Sequence, residues 1–128
     1  MTKEKDKWIE VIAKLTKMTQ ENALIWRRSE VPEFFKNLEN VKVEVIYLTK
    51  YKDKILRIYE KRVKDFDYGF FGTGSTFKWS PHTILDFADP NGASLWVFPE
   101  VQGLDNLFSA VRFQVAGVKD FLKDLLNE

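Results

Sequence analysis

The last third of the sequence limits the possible folds most strongly. It starts with the apolar segment 94–99, passes through a short turn that contains Gly103, and continues to Leu126 with apolar residues every three or four positions. These residues are Leu104, Leu107, Phe108, Val111, Val115, Val118, Leu122 and Leu125. The spacing is that of one face of an α-helix. Burial of each large side chain contributes roughly 1.5–3 kcal/mol, so we predict a strand, a turn and a helix that packs on the rest of the chain.

A glycine interrupts this helical pattern. Gly117 lies between Val115 and Val118, and a glycine inside a helix costs about 1 kcal/mol relative to alanine. We therefore predict that the C-terminal helix breaks near Gly117.

Two hairpins are predicted before this helix. Segments 41–49 and 55–59 are rich in β-branched and aromatic residues and are joined by the polar segment 50–54. Segments 83–87 and 94–98 flank Asp89-Pro-Asn-Gly92, which has the residues of a type I turn followed by a left-handed glycine. In the last strand, Leu95 and Val97 should share one face, and Trp96 and Phe98 the other.

The first forty residues predict helical and edge elements. Residues 3–20 have an amphipathic pattern, and Asn22 is suited to end that helix in the left-handed conformation. Residues 23–26 form a short apolar run that we interpret as an edge strand. Pro32 favours a short helical turn after it.

Together these elements predict one α+β domain that spans residues 1–128. We expect an antiparallel meander of about five strands, with an N-terminal helix and a C-terminal helix, broken near Gly117, packed on one face. The other face would then expose aromatic residues, and exposed apolar patches usually mark an interface. We therefore predict a homodimer whose interface includes Tyr59, Trp96 and Phe98, and a non-catalytic interaction domain.

Segment 65–80 contains three glycines and many aromatic residues. Its candidate binding residues are Phe70, Phe71, Phe77 and Trp79. Three interpretations stay open: a backbone nest for a phosphate group, a flexible hairpin tip, and a loop that binds a partner through its aromatic side chains.

Basic residues give an alternative function. The first 64 residues carry a net charge of +6 and the remaining 64 carry −5. The hairpin 41–64 combines basic and aromatic residues, as single-stranded nucleic-acid sites do. The candidate binding residues are Lys50, Lys52, Lys54, Arg57 and Arg62. The sequence pI of about 7.9 is low for this class of protein, so nucleic-acid binding is the second choice.

The sequence offers little for catalysis. It has no cysteine and one histidine, His82, so thiolate zinc sites, iron–sulfur clusters and cysteine nucleophiles are excluded. A small hydrolase or transferase would need His82 in a pocket with a polar partner. We predict no catalytic residues, no metal and no cofactor.

The start of the sequence has no apolar segment of the kind found in signal peptides, and no run approaches 18 apolar residues. We therefore expect a cytoplasmic protein that does not insert into a membrane.

Three stretches also carry a resemblance. They are Leu-Thr-Lys-Met-Thr-Gln-Glu at 15–21 with Trp26, Leu-Trp-Val-Phe-Pro at 95–99, and residues 110–122. In these stretches the chain resembles a set of short, uncharacterised, single-domain bacterial proteins. The resemblance implies a free-standing domain with no known activity and transfers no catalytic residue.

Overall fold

The computed structural model describes residues 2–67 and 76–127. The elements, in chain order, are α1 (Thr2–Gln20), β1 (Arg27–Ser29), α2 (Glu33–Lys36), β2 (Val41–Lys42), β3 (Ile46–Tyr51), β4 (Lys54–Asp67), β5 (Thr76–Ala88), β6 (Ser94–Val97), α3 (Leu104–Val115) and α4 (Val118–Leu126).

The strands form one antiparallel sheet in the order β1-β3-β4-β5-β6, and β2 pairs with β4 beyond the end of β3. The predicted α+β class, with an antiparallel meander between terminal helices, is confirmed. The sheet has six strands among the described residues, because the predicted strand 41–49 is interrupted between β2 and β3.

Helices α1 and α3 cover one face of the sheet. The core between them includes Ile12, Leu15, Leu24, Trp26, Tyr47, Leu56, Ile58, Leu85, Phe98, Leu104, Leu107, Phe108 and Val111. The first half of the predicted C-terminal stripe therefore lies in the core, as its spacing indicated. None of the helices in the described ranges has the length and apolar character needed to cross a membrane.

Both predicted helix ends are present, and each coincides with a residue in the left-handed backbone conformation. Asn22, just after α1, has a φ of 60°. Gly117 has a φ of 73° and separates α3 from α4, so the break near this glycine is confirmed. At Gly117 most other residues would adopt this conformation only with strain, whereas asparagine tolerates it.

The connection after α1 is not the strand that the sequence predicted. Leu24 and Trp26 are buried in the core, and β1 begins only at Arg27. Gln114 of α3 holds this connection. Its Oε1 accepts a hydrogen bond from the Trp26 backbone N–H at 2.8 Å, and its Nε2 donates to the carbonyls of Thr19 and Leu24 at 2.9 and 2.8 Å. Residues 23–26 therefore have no ladder pairing with β3: Ala23 and Leu24 donate their N–H groups to the Met18 carbonyl, and the Ile25 carbonyl accepts a hydrogen bond from the Thr49 side chain at 2.6 Å.

The two faces of β6 are the reverse of what we predicted. Trp96 pairs with Phe87, and Phe87 pairs with Leu56 of the core, so Trp96 and Phe98 lie on the helix-covered side. Phe98 is buried, with its ring 5.5 Å from that of Trp8 on α1. Alternation could not reveal this orientation because both faces of β6 are apolar.

The second face of the sheet is partly covered too. Tyr59 is buried and its ring lies 5.5 Å from that of Phe35, in the connection between β1 and β2. Ile46 and Ala88 on the same face are also buried. The expectation of an open aromatic face that includes Tyr59 is therefore wrong, because the segment around α2 folds over it.

Candidate functional site

The most exposed apolar surface in the described chain belongs to α4. None of its residues is buried, and Phe121, Leu122, Leu125 and Leu126 are between 42% and 65% exposed. Phe113 at the end of α3 is exposed as well. We call these five residues the α4 surface. The prediction that Leu122 and Leu125 pack in the core is wrong, since the turn at Gly117 carries α4 away from the sheet.

The charged residues of α4 are divided by sign. At 100° per residue, Lys119 and Lys123 lie on one side of the apolar stripe, and Asp120 and Asp124 lie on the other. The helix therefore carries no net charge. It presents an apolar stripe with a basic border and an acidic border.

The aromatic residues at the far end of β4 and β5 form a second surface. In the described residues, the pairs from Lys64↔Trp79 to Asp67↔Thr76 extend past the end of β2 as a two-stranded ribbon. The Lys64 ammonium lies 4.0 Å from the ring centroid of Phe77, and the Lys42 ammonium lies 4.5 Å from that of Trp79. We call Lys42, Lys64, Phe66, Phe77 and Trp79 the ribbon surface. The predicted binding residues Phe70 and Phe71 lie outside the described residues.

The structure separates the predicted basic residues into three places. Lys50, Lys52 and Lys54 surround the β3–β4 turn, ten residues of strand from Lys64, or about 33 Å. Arg62 is near the ribbon surface but forms ion pairs with Glu60 at 2.8 Å and Glu44 at 3.4 Å. No single basic groove brings these residues together.

Arg57, the remaining predicted binding residue, is only 2% exposed. Its Nε and Nη2 donate to the two carboxylate oxygens of Asp86 at 2.9 and 2.6 Å, and its Nη1 donates to the Gly92 carbonyl at 2.8 Å. Burial lowers the pKa of Arg57, but the hydrogen bond and the charge of Asp86 raise that pKa by more. Arg57 is thus a neutralised structural cation and not a free phosphate ligand.

This ion pair borders a cavity of about 810 Å³ on the second face of the sheet. The cavity lies between the connection that carries Val31 and Pro32 and the turn at Asp89 to Gly92. Tyr59 is buried nearby, and burial together with the negative charge of Asp86 raises the pKa of its hydroxyl. The lining charges are mixed in sign, so the cavity has no evident preference for anions or cations.

His82 lies on the exposed side of β5. Its Nδ1 is 3.8 Å from Glu100 Oε1, beside a shallow cavity of about 470 Å³. The neighbouring hydroxyl groups have other partners, because Ser80 donates to Asp65 and Thr83 donates to Asp105. No group of three or more metal-ligating side chains occurs in residues 2–67 and 76–127.

Comparison with protein-family models, curated proteins and solved structures finds no match to this chain.

Sequence reasoning missed the α4 surface because it assigned the whole stripe from Leu104 to Leu125 to the core. The signal that could have identified it was Gly117. When a helix changes direction at a glycine, the apolar residues before and after the glycine do not pack on the same surface.

Proposed function

We propose that the protein is a non-catalytic interaction domain of the cytoplasm that functions as a homodimer through the α4 surface. The supporting observation is that the phenylalanine and all three leucines of α4 are exposed. Exposed apolar patches larger than a few hundred Å² on a monomer usually mark interfaces. The absence of cysteine agrees with a reducing compartment.

The charge pattern of α4 favours a second copy as the partner. A two-fold axis parallel to the helix brings the border with Lys119 and Lys123 of one copy next to the border with Asp120 and Asp124 of the other. The zero net charge of the helix gives no electrostatic attraction to anionic lipids, which bind basic amphipathic helices.

The α4 surface is smaller than a typical stable interface. Nine helical residues extend about 14 Å, whereas a standard interface buries about 800 Å² on each partner. We therefore expect a dissociation constant on the order of micromolar.

The dimer can be tested by light scattering coupled to size-exclusion chromatography. We expect a mass near twice the chain's 15.1 kDa at high protein concentration, decreasing on dilution. Leu125→Glu should abolish the dimer because it places a charge in the apolar stripe. Leu38→Glu is the matched control, since Leu38 is also exposed but lies outside the α4 surface.

A monomer at all concentrations up to about a millimolar would refute the proposed dimer. Equal effects of the Leu125 and Leu38 substitutions would refute the role of α4. Phe121→Glu provides a second variant of the same surface if the Leu125 variant is poorly folded.

The ribbon surface supports a second candidate function, which is binding of single-stranded nucleic acid. Its three rings contact one another, and the ammonium groups of Lys42 and Lys64 lie over them. Proteins hold single strands by stacking bases on aromatic rings in a basic groove. The ion pairs of Arg62 with Glu44 and Glu60 reduce the positive charge there. For this reason we place this function second.

Fluorescence anisotropy with a labelled oligonucleotide tests this candidate. If the ribbon surface binds nucleic acid, the affinity should decrease steeply between 50 and 200 mM salt, roughly tenfold or more for a few phosphate contacts. Lys42→Glu with Lys64→Glu should abolish binding. Lys50→Glu with Lys52→Glu, at the other end of β4, makes the same charge change and should have little effect. Absence of binding at low salt would exclude the candidate.

A further inference from the structure

The arginines of the chain differ in their surroundings. Arg57 and Arg62 form ion pairs with carboxylates, and Arg27 lines the cavity of mixed charge on the second face of the sheet. Arg28 and Arg112 are exposed. Within the described chain, neither of their side chains forms an ion pair or a hydrogen bond. Their guanidinium groups are therefore available to a ligand.

Arg28 and Arg112 border the same cavity, which we call the arginine cavity. Its volume is about 640 Å³, within the range of small-molecule sites. Arg28 lies directly opposite Tyr47 in the pairing of β1 with β3, so the two residues share a face and their Cβ atoms are about 4.5–5.5 Å apart. The Tyr47 ring packs 6.1 Å from that of Phe108. The β1 end of the helix-covered face is therefore the floor of the cavity.

The wall of the arginine cavity is one flank of α3. At 100° per residue, Ser109, Arg112 and Ala116 lie on the same flank, and all three line the cavity. Gln114, which bonds the connection after α1, is on roughly the opposite flank. The cavity thus lies on the side of α3 that faces away from α1. Val118, at the start of α4, lines it as well.

The charge of the arginine cavity is positive. Among the described residues that line it there is no aspartate or glutamate. An adjoining cavity shares two of its residues and is lined by Glu44 and Glu60, but both of these acids pair with Arg62, at 3.4 and 2.8 Å. The charges of the two cavity arginines are therefore not balanced by these carboxylates.

The rest of the lining is largely apolar. Phe113 is 48% exposed, and Val115 and Val118 line the cavity with it. Tyr47 contributes a hydroxyl group that has no hydrogen-bond partner in residues 2–67 and 76–127. A ligand that complements this lining has an anionic group for the arginines and an apolar group for the phenylalanine and valine side chains.

We propose that the arginine cavity binds a small organic phosphate, a phosphate monoester that carries an apolar group. A phosphate monoester has a charge of about −1.5 to −2 at pH 7 and three acceptor oxygens. This charge matches two guanidinium groups, whose paired donors suit phosphate oxygens, and the third acceptor suits the Tyr47 hydroxyl. A carboxylate has a single charge and would balance only one of the arginines. The site does not depend on the dimer, although Phe113 belongs to both surfaces.

The test uses phenyl phosphate and NMR of the full chain labelled with ¹⁵N. We expect shifts of the side-chain Nε–H signals of Arg28 and Arg112 and of the amide signals of residues 109–118. The dissociation constant should be about a millimolar or lower for a ligand of this size. Inorganic phosphate, benzoate and benzyl alcohol each lack one feature of the ligand and should bind at least about tenfold more weakly.

Variants of the arginines locate the site. Arg28→Gln and Arg112→Gln should each weaken binding of phenyl phosphate at least about tenfold, because each removes charged hydrogen bonds. Both positions are exposed, so both variants should fold. Arg27→Gln is the matched control, since it makes the same charge change in the neighbouring residue, on the other face of β1. This control and Leu125→Glu on the α4 surface should leave the affinity unchanged.

Four results would refute the proposal. The first is the absence of shifts at about 10 mM phenyl phosphate. The second is equal binding by the Arg28, Arg112 and Arg27 variants. The third is equal binding of benzyl alcohol, which would show an apolar site only. The fourth is a set of shifts centred on Lys42 and Lys64, or a loss of binding in Leu125→Glu, which would place the ligand on the ribbon surface or on the α4 surface.

Discussion

Replacement of Arg57 by methionine should lower the free energy of unfolding by about 3–5 kcal/mol, because it leaves the Asp86 carboxylate buried without its cation. Asp86 is fully buried, and both of its oxygens accept hydrogen bonds from Arg57. Asp86→Leu should have a similar effect, since it leaves the guanidinium of Arg57 buried and unpaired. Urea denaturation followed by tryptophan fluorescence would measure both changes.

The double variant Arg57→Met with Asp86→Leu should be close to the wild type in stability. Apolar residues of similar volume often replace a buried ion pair at little cost, and the two positions are directly cross-strand. We expect a residual loss of about 1 kcal/mol from the hydrogen bond to Gly92.

The exposed pair of Arg62 and Glu60, with an N–O distance of 2.8 Å, is a matched control. The same substitutions there should change the unfolding midpoint little, because exposed ion pairs contribute little to stability. Additive losses in the Arg57 and Asp86 double variant would show that the two side chains do not act as a coupled pair.

Replacement of Gln114 by leucine should lower the free energy of unfolding by about 2–4 kcal/mol. The side chain of Gln114 satisfies the Trp26 N–H and the carbonyls of Thr19 and Leu24, and each buried polar group left without a partner costs about 1–3 kcal/mol. Thermal and urea denaturation of the variant would measure this loss.

Two further substitutions separate these hydrogen bonds from helix propensity. Gln114→Glu keeps the acceptor for Trp26 but loses both donors, so it should destabilise the fold at neutral pH and recover part of the loss when the new carboxyl group becomes protonated in acid. Gln20→Leu, at an exposed helical position, should change stability by less than about 0.5 kcal/mol. A loss below about 1 kcal/mol in Gln114→Leu would show that water replaces the side chain.

Local chemistry made the β5–β6 hairpin and the helix ends predictable. Asp89 Oδ1 accepts hydrogen bonds from the backbone N–H groups of Asn91 and Ala93, and Gly92 has a φ of 92°. Both features follow from the preferences of aspartate and glycine within a few residues of chain. The same is true of Asn22 and Gly117, whose left-handed conformations end α1 and separate α3 from α4.

Features that depend on distant residues could not be predicted. The orientation of β6 depends on its register with β5, because Leu95 and Trp96 are equally suited to burial. The partner of Arg57 is 29 positions away, and a lone arginine in a basic hairpin is typical of a solvated surface. The apolar run at residues 23–26 predicted a strand. The sequence could not show that this run is an irregular connection, because the side chain that bonds it, Gln114, lies 88 positions from Trp26.

The sequence predicted only some of the residues in the candidate surfaces. The aromatic and basic composition of the ribbon indicated Phe77 and Trp79 as surface residues. The α4 surface was not foreseen, because Leu122 and Leu125 continue the spacing of the core residues of α3. Only the three-dimensional direction of α4 after Gly117 shows that these side chains are exposed.

The bridge between Gln114 and residues 19–26 has a consequence for how the chain folds during its synthesis. Helix α1 leaves the ribosome before its partners in the core, because α3 and the residues around Phe98 emerge about 90 residues later, after roughly 5–18 seconds of translation. Trp8, Ile12 and Leu15 therefore stay without their final contacts during that time. Such late closure of a long loop favours slow folding and exposes the nascent helix to chaperones.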